Sequence, residues 1–406
     1  MRKRLLGPLE AAWPVLSLAL GLFVIVAVLG NASGDVITDV IQALLMMTMA
    51  VGLYVFVGNS GVISLGHAGF MGIGAYVGGI ASIPLIQRTT LLPFLPDWAT
   101  KTELALWPAA ILGALVAGVI GYVIAIPLSR LSGLAAAVGT LAVLQICQVV
   151  MINWKVIAGD GGATPGIPVD TTTWAAYTAV VVAMVIAYLY QRSASGIRLR
   201  ASREDLVAAR SVGVDIARER RRAFALSAMV TGLGGALYAH SVGTVAPTDF
   251  FILAGFLQLA ALVIGGVTSM AGAVIGVAVL ATLTSLIQRL QDGQGLGPIS
   301  LDLPNGIDTV IVAIILLVML VKRPNGLTGG RELRVPRRLR AWLGGRPEPA
   351  VAAAPAAGDT GIADPAVAVV TADAGAEPDA SVPAGPRLTG HAPATPPDRP
   401  KQESTT

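Results

Sequence analysis

The chain has 406 residues, of which 54% are hydrophobic and only 13% charged, with 28 Lys and Arg against 24 Asp and Glu. A mean hydropathy of +0.72 and a pI near 9.4 exclude a string of soluble domains; in a polytopic membrane protein the basic residues report orientation, and no nucleic-acid partner is implied. The single cysteine, Cys147, sits in an apolar run and cannot close an intrachain disulfide.

The N-terminus, MRKRLLGPLEAAW, is a basic start before an apolar run, the opening also used by signal peptides; the run is long enough to span, so we read an uncleaved first helix. An apolar helix needs ~20 residues to cross a bilayer. Ten segments meet this: Trp13–Gly30, Val36–Val57, Val62–Leu85, Leu104–Leu128, Gly133–Ile152, Trp174–Tyr190, Ala223–Val242, Phe250–Val267, Met270–Leu290 and Ile307–Val321. The third and ninth are rich in glycine, which makes them the candidates for broken or re-entrant helices.

Basic residues collect on the cytoplasmic side. With Arg2, Lys3 and Arg4 inside, the alternate loops are the basic ones: Arg130, the arginines of 191–222, and Lys322 to Arg346. The loops assigned outside hold only Arg88, Lys101, Lys155 and Arg289, alongside Asp97, Glu103, Asp160, Asp170, Asp249, Asp292 and Asp302. The expectation is an all-α, polytopic transmembrane bundle of about ten helices with both termini cytoplasmic. It divides into a basic N-terminus (1–12), a membrane domain (13–321) with a long cytoplasmic loop at 191–222, a basic juxtamembrane segment (322–346) and an Ala/Pro-rich tail (347–406). The tail has too little large apolar surface to offset the entropy of ordering and is expected to be disordered. The juxtamembrane segment reads either as a patch on the anionic inner leaflet or as an ordinary positive-inside flank.

Between the sixth and seventh segments lies SASGIRLRASREDLVAARSVGVDIARERRR, a long charged stretch that still carries Leu206, Val207, Val212, Val214 and Ile216. Helical spacing sets Leu206 and Ala209 on one side and Gly213 permits a turn, which describes a short amphipathic docking element as well as a loop that is basic only because it is inside. In the third segment, SLGHAGFMGIGAY, one imidazole stands among glycines. His67 reads either as a neutral ring bonded to a neighbouring helix or as a group on a transport path, and the glycines as close helix packing. Asp35, Asp39, Asp249 and Asp308 fall near predicted span ends, so no carboxylate suggests proton coupling deep in a span. No Gly-x-x-x-x-Gly-Lys-Ser/Thr loop occurs, so the chain lacks that device for holding ATP.

Several of these stretches together resemble one family. Ala208-Ala209 followed by three residues and Gly213 is similar to the Ala-Ala-x-x-x-Gly core through which ABC importer permeases engage their ATPases, with Val207 where the wider pattern has another residue. RRAFALSAMVTGLGGALYA, SLGHAGFMGIGAY, LSGLAAAVGTLAVLQI, GDGGATPGI (Asp160 replacing a threonine) and RPNGLTG resemble, in order, elements of the branched-chain amino acid permeases of LivM type. The resemblance covers residues 40–329. It implies a transport subunit without enzymatic activity or cofactor of its own, in the plasma membrane of a prokaryote. Implied partners are two ATPases that bind the ATP, a homologous second permease of LivH type, an extracytoplasmic solute-binding protein and the surrounding lipid. Arg203, Glu204, Ala208, Ala209 and Gly213 are the expected ATPase contact, and Ser64, Gly66, His67, Gly69, Gly72 and Gly74 are expected to border the translocation path. Urea, short amides or a sugar remain alternative cargoes, and an ion-coupled carrier or passive channel acting alone an alternative class.

Overall fold

The computed structural model describes residues 2–30, 34–91, 102–154, 163–291, 307–323, 326–330 and 332. In chain order the helices are α1 (Arg2–Leu29), α2 (Gly34–Ser60), α3 (His67–Ser82), α4 (Leu85–Leu91), α5 (Leu106–Leu128), α6 (Gly133–Asn153), α7 (Thr173–Arg192), α8 (Ala194–Glu204), α9 (Leu206–Ser211), α10 (Ile216–Val242), α11 (Ile252–Gly265), α12 (Met270–Gln291) and α13 (Ile307–Lys322). Among the described residues, 8 helices are long and apolar enough to cross a membrane, α11 counting its preceding turn. With the 16-residue α3 and α13 they match the predicted segments in order. The fold is a polytopic helical bundle.

Helix α10 is its axis, packed along α5, α3 and α2, while α2 also packs on α7 and α12, and α11 pairs with α12. The apolar windows of α2 and α10 are 72% buried inside the chain and that of α1 only 22%, which separates central helices from peripheral ones. Small residues make this closeness possible. A Cβ at Gly74 would stand 2.1 Å from the Gly232 carbonyl oxygen, and one at Gly235 would stand 2.0 Å from that of Met71, so α3 and α10 touch backbone to backbone.

The two glycine-rich segments behave differently. The third, read from its hydropathy as starting at Val62, is not helical there: residues 61–64 are irregular, the chain bends at Leu65 and turns at Gly66, and α3 begins at His67. Gly61 turns the chain at φ 69°. Its neighbours find side-chain partners: the Val62 N–H donates to Ser60 Oγ (3.2 Å) and the Leu65 N–H to Thr140 Oγ1 on α6 (3.2 Å). Irregular backbone at such a place needs this internal satisfaction. The ninth segment is a continuous helix, α12, whose glycines serve packing instead. A Cβ at Gly276 would come 1.9 Å from the Ala261 carbonyl oxygen on α11.

At the end opposite the basic loops, the 163–171 segment closes on α10. Thr164–Pro165 (β1) pairs antiparallel with Thr244–Val245 (β2), and Thr171 donates through N–H and Oγ1 to the His240 and Leu237 carbonyls. His240 near the end of α10 is buried, with Nδ1 donating to the Ala236 carbonyl at 2.7 Å. Two basic residues at this end are structural. Arg88 is buried and donates to the carbonyls of Ala81, Ile83 and Thr102, and Arg289 pairs with Asp39 at 3.0 Å. Asp160, the tail 347–406 and most of 322–346 lie outside the described residues.

Candidate functional site

His67 is the first residue of α3, delivered by the irregular 61–66 stretch into a pocket among Phe56, Phe70 and Phe224, whose ring centres lie 5.0–6.1 Å away. Both ring nitrogens are bonded: Nδ1 to Ser64 Oγ at 2.8 Å and Nε2 to Ser227 Oγ on α10 at 2.7 Å. Ser227 has one proton and donates it to the Gly52 carbonyl on α2 at 2.6 Å. Hydrogen-bond accounting then assigns the proton on Nε2 of His67, donated to Ser227, with Ser64 donating to Nδ1. The imidazole thus joins α3, α10 and α2 through a polar chain with every partner satisfied, as a polar group enclosed by apolar side chains must be.

Ser64, Gly66, Gly69, Gly72 and Gly74, the other residues expected along the path, are buried with it. Three face α6, where added Cβ atoms would press on Thr140, Cys147 and Met151, and Gly74 faces α10. They lie along the entry and first turns of α3 on two sides, one toward α6 and one toward α10, enclosed by the chain's own helices. Buried Gln258 on α11 stands near α3, its amide nitrogen 3.3 Å from the Met71 sulfur.

The expected docking residues form a second cluster at the basic end. Ser193 caps α8 by accepting the Gly196 N–H, and Asp205 caps α9 by accepting from Val207 and Ala208 at 2.8 and 3.0 Å. Gly213 then reverses the chain at φ 82°, with open space around it, a conformation suited to glycine. Asp215 opens α10 by capping Arg218. This sequence of caps holds α9 out from the bundle: Val207 is 78% and Val212 79% exposed. Ala208, Arg203, Glu204 and Gly213 are also exposed, but Ala209 is buried and faces the protein. The expected five residues therefore divide into an outer face and one inward anchor.

Sequence reasoning missed the residue that fixes this element. Glu219, buried in the first turn of α10, accepts from Ser195 and pairs with Arg198 and Arg222, each at 3.4 Å. It ties α8 to α10, and the available signal was a lone acid among the arginines of RERRR. Arg203 reaches further, donating to the Gly58 carbonyl at the end of α2 (2.8 Å).

A bundle of close-packed apolar helices long enough to span a bilayer defines a multi-pass membrane protein, and this one carries a capped helix with exposed apolar side chains at its basic end. The chain belongs to the family described as the branched-chain amino acid transport system permease component, which it matches over residues 36–320. It is 24% identical over 320 residues to the high-affinity branched-chain amino acid transport system permease protein LivM of Salmonella typhimurium, covering 70% of this chain and 68% of that one. The LivM protein of Escherichia coli matches at 24% over 318 residues, with the same coverage. The nucleoside ABC transporter permease protein NupC of Lactococcus lactis matches at 26% over 230 residues, 52% of this chain and 69% of the relative. No solved structure matches.

Proposed function

We propose that this chain forms one half of the membrane path of an ATP-binding-cassette importer that brings branched-chain or related hydrophobic amino acids into a prokaryotic cell. A second, homologous permease completes the path, a secreted binding protein delivers cargo, and two ATPases dock at the basic end. The exposed apolar face of α9 is the observation that carries the reading: Leu206, Val207 and Val212 stand out from a strongly basic surface. Such a face is left uncovered where a partner is to cover it. ATP binding by the partners then biases a two-state equilibrium between outward- and inward-open arrangements. The small residues at the entry and first turns of α3, anchored by His67, border the path. The likeness to LivM proteins supports amino-acid cargo, and the likeness to NupC favours nucleosides as the second reading.

Gly213 provides the test. Any L side chain at φ 82° is strained, at a cost of ~1–3 kcal/mol. There is open space at the site, so Gly213→Leu is expected to insert normally while re-aiming α9. In proteoliposomes with the partner subunits, ATP hydrolysis should persist while uptake of L-leucine falls. Normal leucine uptake by this variant counts against the docking role. Uptake of a nucleoside in place of leucine by the wild type would move the cargo to the second reading.

A further inference from the structure

After α13 the chain does not leave the bundle. Leu327 N–H donates to the Ile264 carbonyl (2.9 Å) and Thr328 N–H to that of Gly265 (3.1 Å). Thr328 Oγ1 also donates to Gly265 O (2.8 Å) and lies 3.0 Å from Ser269 Oγ. Gly326 sits so close to the corner between α11 and α12 that an added Cβ would come 2.5 Å from Gly266 Cα, at a backbone φ of 72°. Beyond it, Glu332 accepts the N–H groups of Met270 (2.7 Å) and Ala271 (3.3 Å), the first turn of α12, and meets the Tyr54 hydroxyl of α2.

These contacts converge on the element that carries the docking face. The Gly58 carbonyl of α2 accepts from Arg203 of α8, while an added Cβ at Gly58 would stand 2.9 Å from the Val267 carbonyl in the α11–α12 corner. Arg200 of α8 attracts the Glu332 carboxylate. Four separate pieces of chain, α2, α8, the corner and the segment after α13, thus meet around Tyr54, Gly58 and Glu332.

We infer that Gly326–Gly330 and Glu332 are a coupling strap, which makes the α11–α12 corner travel with α2 and α8 when the docking segment is displaced. The inference rests on the docking reading above and adds a positioning role to a segment that touches neither cargo nor the exposed face of α9. Burial raises the Glu332 carboxyl above the usual carboxylate range, and the backbone N–H groups and Arg200 pull against that rise, so the group is held in place by partners rather than by water. Without the strap, α8 retains its bond to α2, and the corner keeps only its packing against α2 at Gly58.

The test uses the complete transporter in proteoliposomes, with L-leucine as the probe. Glu332→Ala is expected to keep the ATPases co-purifying and hydrolysing ATP, while uptake per inserted transporter falls about tenfold, within the range of ordinary coupling free energies. Glu332→Gln, which keeps one acceptor oxygen but loses the attraction of Arg200, should fall between. Unchanged uptake per inserted transporter in Glu332→Ala overturns the strap, as does loss of the ATPases, which would make the segment part of the docking surface. Val207→Asp tests the docking reading apart from it: ATPases that remain bound to this variant sink that reading. A variant that spares the anchor adds a second measurement. Ser269→Cys with Thr328→Cys, in a Cys147→Ala background, should form a disulfide that leaves uptake intact, since strap and corner move together. Failure to cross-link, or uptake lost on oxidation and restored by reductant, would overturn a fixed tie.

Discussion

His67 acts through a chain of single protons, from Ser64 to Nδ1, from Nε2 to Ser227 and from Ser227 to the Gly52 carbonyl, so the ring is a three-helix pin as much as a polar group near a path. The glycines beside it differ sharply in what they tolerate, and the difference lies in their neighbours. At Gly74 a methyl group would collide with the Gly232 carbonyl at 2.1 Å, and backbone cannot swing aside as a flexible side chain can. Overpacking of this kind costs ~1–3 kcal/mol or more. Gly21 on the peripheral α1 has nothing within 4 Å of an added Cβ. Thermal unfolding in detergent is therefore expected to show a clear drop for Gly74→Ala and none for Gly21→Ala; equal melting temperatures would mean that α3 and α10 are not in backbone contact.

The irregular entry to α3 depends on Thr140 of α6, which accepts the Leu65 N–H and passes its own proton to the Ala137 carbonyl. Thr140→Val keeps the shape and removes the acceptor, leaving a part-buried donor unpaired at a cost of ~1–3 kcal/mol. Amide exchange at residues 61–66 should quicken in this variant while that of α12 stays as it was; unchanged exchange at Leu65 would show that the hydroxyl does not hold the segment. This contact also marks the limit of what could be read from sequence. The order and number of apolar helices were legible because hydropathy over ~20 residues is a local property. So was the turn at Gly213, a property of one residue and its nearest neighbours, whereas the caps Asp205 and Asp215 emerged only with the structure. Which glycine-rich segment breaks was not legible: SLGHAGF and SMAGAVIG look alike, and the choice falls to a hydroxyl 75 residues away. Glu219, Ser227 and Glu332 escaped notice for the same reason, each owing its role to partners brought near only by folding.

The orientation of the whole bundle rests on charge, and the structure accounts for two of the four exceptions to it. Of the four basic residues on the sparsely charged end, Arg88 is consumed by three carbonyls and Arg289 by Asp39, while Lys101 and Lys155 lie outside the described residues. The arginines at the other end include exposed ones on α8, α9 and α10, so the asymmetry that drives positive-inside insertion is larger than a count of residues suggests. Cysteine labelling tests this directly, since the native Cys147 is buried and dispensable as a probe. In a Cys147→Ala background, Val207→Cys, on α9, should resist a membrane-impermeant maleimide in intact cells and react in inverted vesicles. Val169→Cys, 66% exposed beside the β1–β2 ladder, should do the reverse. The opposite pattern would turn α9, Gly213 and the strap toward the outside, where no ATP-hydrolysing partner could reach them, and would remove the ATPase-docking and coupling roles together. The expected pattern restricts the partner of the exposed apolar face to a cytoplasmic protein and leaves the β1–β2 end to meet whatever delivers the cargo.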